Sequence, residues 1–252
     1  MAFLTRPLSP VGFGAFKIGR NVGAKYERTY ELPDVAAADA LLNGLLDAGL
    51  SYIDTAPAYG MSEERIGEAV AHRRGEFSLS TKVGEFFSDG ASRYDFSAEA
   101  VRASVKTSLR RLRTNVLDLV FIHAPREDVQ VLKTTEVVTT LMQLREKGVI
   151  RGIGLSGHTM AGFRATLPWA DAIMVTYNPD DPSLASVIAE AAARNILVIA
   201  KKGLGAGRLS PAKALPWILR NPAVTSVVIG SLSLEHMRDN LRIAQEARPP
   251  RP

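Results

Sequence analysis

Ser51-Tyr52-Ile53-Asp54-Thr55-Ala56-Pro57-Ala58-Tyr59-Gly60-Met61-Ser62-Glu63-Glu64 is the stretch from which the rest of the chain is read. Ser51 to Ile53 reads as a short β-run that delivers Asp54 at its end. Tyr59 follows five residues later in a loop containing Pro57 and Gly60. Ser62, Glu63 and Glu64 then supply a capping hydroxyl and two acids, which favour a helix N-terminus. A carboxylate and a phenol are thus presented on a strand-to-helix turn, the part of an α/β fold where chemistry is usually carried.

Outward from this stretch, the same alternation repeats. Strands are expected at Val11–Ala15, up to Asp54, at Phe77–Lys82, Leu117–His123, Ile150–Ser156, Ala172–Tyr177, Ile196–Ala200 and Ser226–Ile229. They are short, apolar and rich in β-branched residues, as strands covered by helices are. Residues 16–33 read as a long polar loop. Helices are expected from Asp34 to Ala48, and over about 63–73, 97–112, 131–147, 184–194, 211–220 and from 233 to about 247. Gly49, Gly148 and Asn195 mark helix ends. A short Pro/Arg tail occupies 248–252. Alternation without a linker or repeat favours a single-domain (β/α)8 TIM barrel over residues 1–252. No Gly-x-Gly-x-x-Gly opens a helix after the first strand, which argues against a doubly wound dinucleotide fold.

Composition narrows the function. The chain has 252 residues, 46% of them hydrophobic, and a net charge of +5. No apolar run approaches the roughly 18 residues that a bilayer requires, so no membrane role is expected. Met1–Pro10 contains two prolines and no apolar core, so a signal peptide is not expected. The absence of Cys removes disulfides and thiol chemistry and agrees with a cytoplasmic protein. The charge is diffuse, which argues against nucleic acid but suits an anionic cofactor. No His and acid pair has metal-ligand spacing, so no metal is expected. The sequence fixes no oligomeric state; a monomer is the simplest expectation.

Asp54, Lys82 and His123 end successive strands, and Tyr59 lies just past one. In a barrel these ends meet around one mouth. The chemistry is coherent. A phenol of pKa about 10 is a weak acid, and a neighbouring ammonium is expected to lower that value. Asp54 would keep a buried Lys82 charged, and His123 would donate a hydrogen bond to a carbonyl oxygen. Taken singly, an acid–lysine pair is more often a plain salt bridge and a lone His more often structural.

Together, in the order Asp, Tyr, Lys, His, the four resemble the catalytic tetrad of the aldo-keto reductase superfamily. The flanking text is similar too: Ile53-Asp54-Thr55-Ala56-Pro57-Ala58-Tyr59-Gly60, Ser80-Thr81-Lys82-Val83, Leu117 to His123, and Gly148 to Ser156. The resemblance runs from about Val11 to Ala244. It implies an NAD(P)H-dependent oxidoreductase that reduces aldehydes or ketones, or runs in reverse, with hydride from the nicotinamide and the proton from Tyr59. It implies a cofactor, NADP(H) preferred over NAD(H), near Asp54, Ser156, Lys201, Lys202, Gly203, Leu204, Ile229, Gly230, Ser231, Ser233, His236 and Asn240. A small carbonyl substrate would lie against Phe16, Tyr59 and His123. No acid lies at 230–234 to repel a 2′-phosphate.

The sequence also departs from the family. Gly157 follows Ser156 where many members carry Asn. Met174 stands for a common Gln, Lys201 for a stacking Tyr and Ile229 for a common Pro. The segment after Gly207 is short, and no long C-terminal substrate loop follows the last helix, so an open site with broad selectivity for small aldehydes is expected. Two rival readings remain: a cofactor-holding sensing module without turnover, and an aldolase or isomerase with Lys82 as a Schiff-base amine. His158, just beyond Ser156, is expected to cap or pack, with lining of the pocket as the alternative, and Trp169 and Trp217 are expected to pack.

Overall fold

The computed structural model describes residues 3–23 and 29–248. Eight parallel strands close into a barrel: β1 (Val11–Gly14), β2 (Tyr52–Asp54), β3 (Ser78–Val83), β6 (Leu117–His123), β7 (Ile150–Ser156), β8 (Ala172–Thr176), β9 (Leu197–Lys201) and β10 (Val224–Ile229). They pair in sequence order, with β1 closing on β10. The expected (β/α)8 barrel is therefore the observed one. The part of the 16–33 loop at 24–28, and the tail beyond Arg248, lie outside the described residues.

A strand's side chains alternate between two faces, and here the alternation decides which strand residues face the site. One parity of the strands supplies Tyr52, Leu119, Phe121, Ala172, Met174, Leu197 and Ile199, which pack on one another as the barrel interior. The other parity supplies Val11, Phe13, Ile53, Val120, Ile153, Ile173, Val198 and Val227, which pack in a separate core with helix residues such as Leu42, Val105 and Ile188. Continuing the inner parity to the C-terminal strand ends reaches Asp54, Lys82, His123, Ser156 and Lys201. At the N-terminal ends of the strands, Leu8, Phe3 and Leu4 pack on the interior cluster, and Asp118, fully buried, accepts hydrogen bonds from the backbone N–H groups of Thr5 (2.9 Å) and Leu79 (2.8 Å) and from Arg74 and Arg151.

Around the barrel lie α1 (Val35–Asp47), α2 (Ser62–Val70), α3 (Ala98–Arg111), α4 (Asp128–Thr134), α5 (Val137–Glu146), α6 (Met160–Thr166), α7 (Ala185–Ala192), α8 (Pro211–Leu219) and α9 (Leu234–Ala247). Asp34 and Ser97 cap α1 and α3 as expected, each accepting from a backbone N–H three residues on.

The structure corrects the sequence reading in four places. Ser62, expected to cap α2, is instead its first residue: Met61 takes the cap position with no side-chain cap bond, and the Ser62 hydroxyl bonds Thr55 Oγ1 at 2.7 Å. The helix expected over 131–147 is two helices, α4 and α5, broken at Thr135, whose backbone is extended. Thr134 and Thr135 each turn a hydroxyl back onto the carbonyl four residues earlier, both at 2.8 Å. Such bonds compete with the helical ladder. The short helix α6, started by Thr159 accepting from Gly162 N, was not anticipated. Nor was a β-hairpin, β4 (Glu85–Ser88) and β5 (Ala91–Tyr94), inserted after β3. Its turn is Asp89-Gly90, with φ of 52° and 80°, the pair of positive values that a two-residue hairpin favours.

Candidate active site

Asp54 and Lys82 are 3% and 2% exposed, and Lys82 Nζ lies 2.6 Å from Asp54 Oδ2. The ammonium also donates to the Thr55 carbonyl (2.9 Å), and Ser80 donates to Asp54 Oδ1 (2.6 Å). Ser80 is joined in turn to the Tyr52 hydroxyl (2.8 Å). Each charge is thus paired and further hydrogen-bonded, the condition on which a buried ion pair survives.

Tyr59 ends a 3-10 turn, Pro57–Tyr59, between β2 and α2. Its ring sits 4.8 Å from Lys82 Nζ, with Phe16 and His123 edge-on at centroid distances of 5.1 and 6.0 Å. Two glycines set this turn. A Cβ on Gly60, whose φ is 60°, would fall 2.2 Å from the Gly19 carbonyl oxygen, and one on Gly19 would fall 2.1 Å from that of Tyr59. Only chains without Cβ atoms can cross so closely. The four expected residues and Phe16 therefore converge on one mouth, although 107 residues separate Phe16 from His123 (123 − 16).

The electrostatics differ from expectation at the phenol. Burial raises the Tyr59 pKa above the ordinary tyrosine value; Lys82 pulls it down, but burial and Asp54 outweigh that pull. The expected net lowering is overturned because the site is desolvated. For Lys82, burial acts to lower the pKa, yet Asp54 and Tyr59 more than offset it, so the amine stays charged.

Three polar groups that sequence reading passed over complete the mouth. Glu85, on the hairpin, places Oε2 2.7 Å from His123 Nδ1, a contact that is short but poorly aligned as a hydrogen bond. Burial would raise the Glu85 pKa, but His123, Ser92 and Arg20 hold it at about 2. The His123 pKa is lowered, burial outweighing the carboxylate. Arg20 lays its guanidinium 3.2 Å from the Phe87 ring centroid and donates to Ala58 O (3.0 Å), tying the hairpin to the Tyr59 turn. Asp128, fully buried at the start of α4, accepts from the backbone N–H groups of His158 and Thr159, both at 2.8 Å, and fixes the loop after β7. A Cβ on Gly157 would meet Leu155 at 2.8 Å and this carboxylate at 3.0 Å. His158 takes part through its backbone N–H alone, its side chain being exposed. The Asp89-Gly90 turn was the signal for the hairpin; buried Asp128 left none.

On the opposite side of the mouth, Lys201 donates to the Ser156 hydroxyl at 2.9 Å. Burial, then Lys202 and Lys82, bring the Lys201 pKa down to about 7. Lys202 is exposed, with φ of 55°. Gly203 and Leu204 follow; a Cβ on Gly203 would fall 2.5 Å from Val227. Ile229, Gly230, Ser231 and Ser233 lead from β10 into α9, where Ser233 Oγ accepts from His236 N (3.2 Å). His236 is exposed and Asn240 is buried. No hydrogen bond or ion pair among the described residues joins this 229–240 segment to the tetrad. Glu235 also lies in the first turn of α9. Trp169 and Trp217 pack on the outer core, Trp217 at 5.0 Å from the Tyr177 ring.

Comparison with known proteins agrees with this geometry. A Pseudomonas aeruginosa protein described as an aldo-keto reductase is 36% identical, covering 96% of this chain and 94% of its own, with a TM-score of 0.87. YqkF, an oxidoreductase of Bacillus subtilis, is 24% identical over 96% of this chain and 89% of its own. D-arabinose 1-dehydrogenase of Saccharomyces cerevisiae is 36% identical over 50% of this chain, and the match spans 38% of that enzyme's length. The profile of the Aldo/keto reductase family matches residues 10–214, spanning every residue of the tetrad, and with the closed barrel it establishes that the chain belongs to that family, oxidoreductases that use nicotinamide cofactors.

Proposed function

We propose that the chain interconverts carbonyl compounds and alcohols, with Tyr59 as the proton donor for reduction. The observation that carries this reading is the buried Asp54–Lys82 pair beneath the Tyr59 ring, with His123 edge-on to that ring. The bound nicotinamide would supply or accept the hydride. The protein's own residues do the rest. Tyr59 holds a proton throughout the neutral range because burial raises its pKa, so the acid form is available for reduction. As the phenol gives its proton to a carbonyl oxygen, the Lys82 ammonium stabilises the phenolate left behind, and Asp54 keeps that ammonium charged. Phe16 and His123 bound the space above the phenol and orient the substrate.

The donor set suits an anionic dinucleotide. Lys201 with Ser156, Lys202 with Gly203 and Leu204, and the segment Ile229, Gly230, Ser231, Ser233, His236 and Asn240 would hold it, the helix start receiving phosphate. Lys202 and His236 support a preference for NADP(H); Glu235 in the same helix turn opposes it. The substrate class is small aldehydes and ketones, taken with broad selectivity. Relatives named D-arabinose 1-dehydrogenase and D-threo-aldose 1-dehydrogenase support including polyhydroxy compounds.

The test is fluorescence titration with both dinucleotides, followed by turnover on a panel of aldehydes, ketones, sugars and their alcohols. Binding with turnover supports the reading. Binding with no turnover on any member favours a cofactor-holding module, a reading supported by Lys201 occupying Ser156. Failure to bind either dinucleotide overturns both.

A further inference from the structure

Glu85 has no part in the machinery just described, yet it touches His123, which does. The Glu85 carboxylate is ionised at neutral pH. A bare ring nitrogen 2.7 Å from an anionic oxygen would set its lone pair against that negative charge, so the carboxylate favours a hydrogen on this nitrogen even though the contact is poorly aligned. Neutral imidazole has one N–H. If Nδ1 carries it, Nε2 does not.

We propose that Glu85 is a positioning residue for His123: its carboxylate holds the ring in the Nδ1–H tautomer, so Nε2 offers a lone pair when the ring is neutral and a hydrogen only when the ring is protonated. Resting on the carbonyl–alcohol reading above, this reverses the part expected of His123. At neutral pH it accepts from a hydroxyl instead of donating to a carbonyl. The substrates it favours are those presenting a hydroxyl hydrogen to the mouth: an alcohol awaiting oxidation, or a carbonyl compound with a neighbouring hydroxyl.

The surroundings support a neutral ring. Burial opposes a charge on His123 most, and Lys82 from β3 and Lys201 from β9 oppose it further; Glu85 alone favours it. The Tyr59 phenol is itself protonated. Glu85 is held in place by Ser92, which donates at 2.5 Å, and is faced by the charge of Arg20. Tyr94, in the electrostatic reach of Glu85 and Glu127, keeps its proton because burial raises its pKa. The hairpin therefore delivers one fixed negative charge to one ring nitrogen.

The experiment is long-range proton–nitrogen correlation spectroscopy of the full-length, 15N-labelled protein across pH 5 to 9. The chain has four His residues, and a His123→Asn variant identifies the resonance. The expected spectrum above neutrality has a protonated-type Nδ1 and a bare-type Nε2. Glu85→Gln, which keeps an oxygen acceptor but removes the charge, should retain that tautomer and lower the ring pKa by about 1–3 units. Glu85→Leu should release the tautomer, giving a mixture or a protonated Nε2. A wild-type ring protonated at Nε2 overturns the proposal, as does a Glu85→Leu ring unchanged in both tautomer and midpoint. If Glu85→Leu does not fold, the wild-type spectrum decides alone. These readouts need no turnover, so an inert carbonyl panel would refute the proposed function and leave the tautomer result standing. Where turnover is found, the pH limb of alcohol oxidation should move down with the ring pKa in Glu85→Gln.

Discussion

Replacing Lys82 with Met separates the stability of the buried pair from its chemistry. The two charges are 2.6 Å apart, and at an effective dielectric constant of 20 their attraction is 332/(20 × 2.6), about 6 kcal/mol. Met fills much of the same volume but leaves Asp54, 3% exposed, with one remaining side-chain donor, Ser80. Part of the lost attraction is recovered by relaxation, and breaking a buried pair from one side costs about 3–5 kcal/mol. In a chain of this size each kcal/mol lowers the melting temperature by roughly 2–4 °C, so Lys82→Met should melt about 6–20 °C below wild type. The double variant Asp54→Asn/Lys82→Met removes the orphaned charge. It should recover most of that loss, because replacing both partners of a buried pair is often near neutral, yet it should recover no activity. Thermal and urea unfolding of the four proteins in this cycle measure the coupling directly. A single-variant loss under about 1 kcal/mol, or a double variant no more stable than Lys82→Met, would refute the reasoning that Asp54 depends on its partner's charge.

Three further outcomes are expected. Tyr59→Phe keeps the ring contacts with Phe16 and His123 but loses the proton, so kcat for carbonyl reduction should fall roughly 10²- to 10⁴-fold with dinucleotide affinity unchanged; stopped-flow turnover and titration check it, and near-full activity would remove Tyr59 from its role. Gly60→Ala, at a φ of 60° and with a Cβ 2.2 Å from the Gly19 oxygen, should cost about 1–3 kcal/mol and reduce turnover by displacing Tyr59; wild-type stability and rate together would contradict the close crossing of the two loops. Lys201 is charged below about pH 7 and neutral above it, so its contribution to dinucleotide binding should fade as pH rises through 7, and Lys201→Met should lack that inflection. In the unfolded chain Lys201 keeps its proton up to about pH 10.4, so the folded state binds fewer protons between these values and stability rises with pH there; Lys201→Met should therefore stabilise the protein more at pH 6 than at pH 9 in chemical unfolding.

The sequence alone determined the barrel, and for a physical reason. Strands such as Ile196–Ala200 are continuous apolar runs, and helices such as α1 and α3 begin at capping residues that act within three positions of themselves. Local chemistry of this kind is written in consecutive residues. The same holds for Asp54, Lys82 and His123, because a strand end is a local property and barrel closure brings strand ends together. Tyr59 was legible for the same reason, from its turn of Pro57 and Gly60. What the sequence left open depended on contacts between segments far apart in the chain. The break at Thr135 turned on where two hydroxyls point, and the Asp89-Gly90 turn was readable in principle, but nothing local says that its hairpin folds over the mouth. Only the tertiary structure set Glu85 against His123, 38 residues away (123 − 85), and put Asp128 under the loop after β7. The sign at Tyr59 was likewise decided in three dimensions. Lys82 pulls the phenol's pKa down, as its proximity implies, but the extent of burial around both residues, which no spacing encodes, pushes it further up.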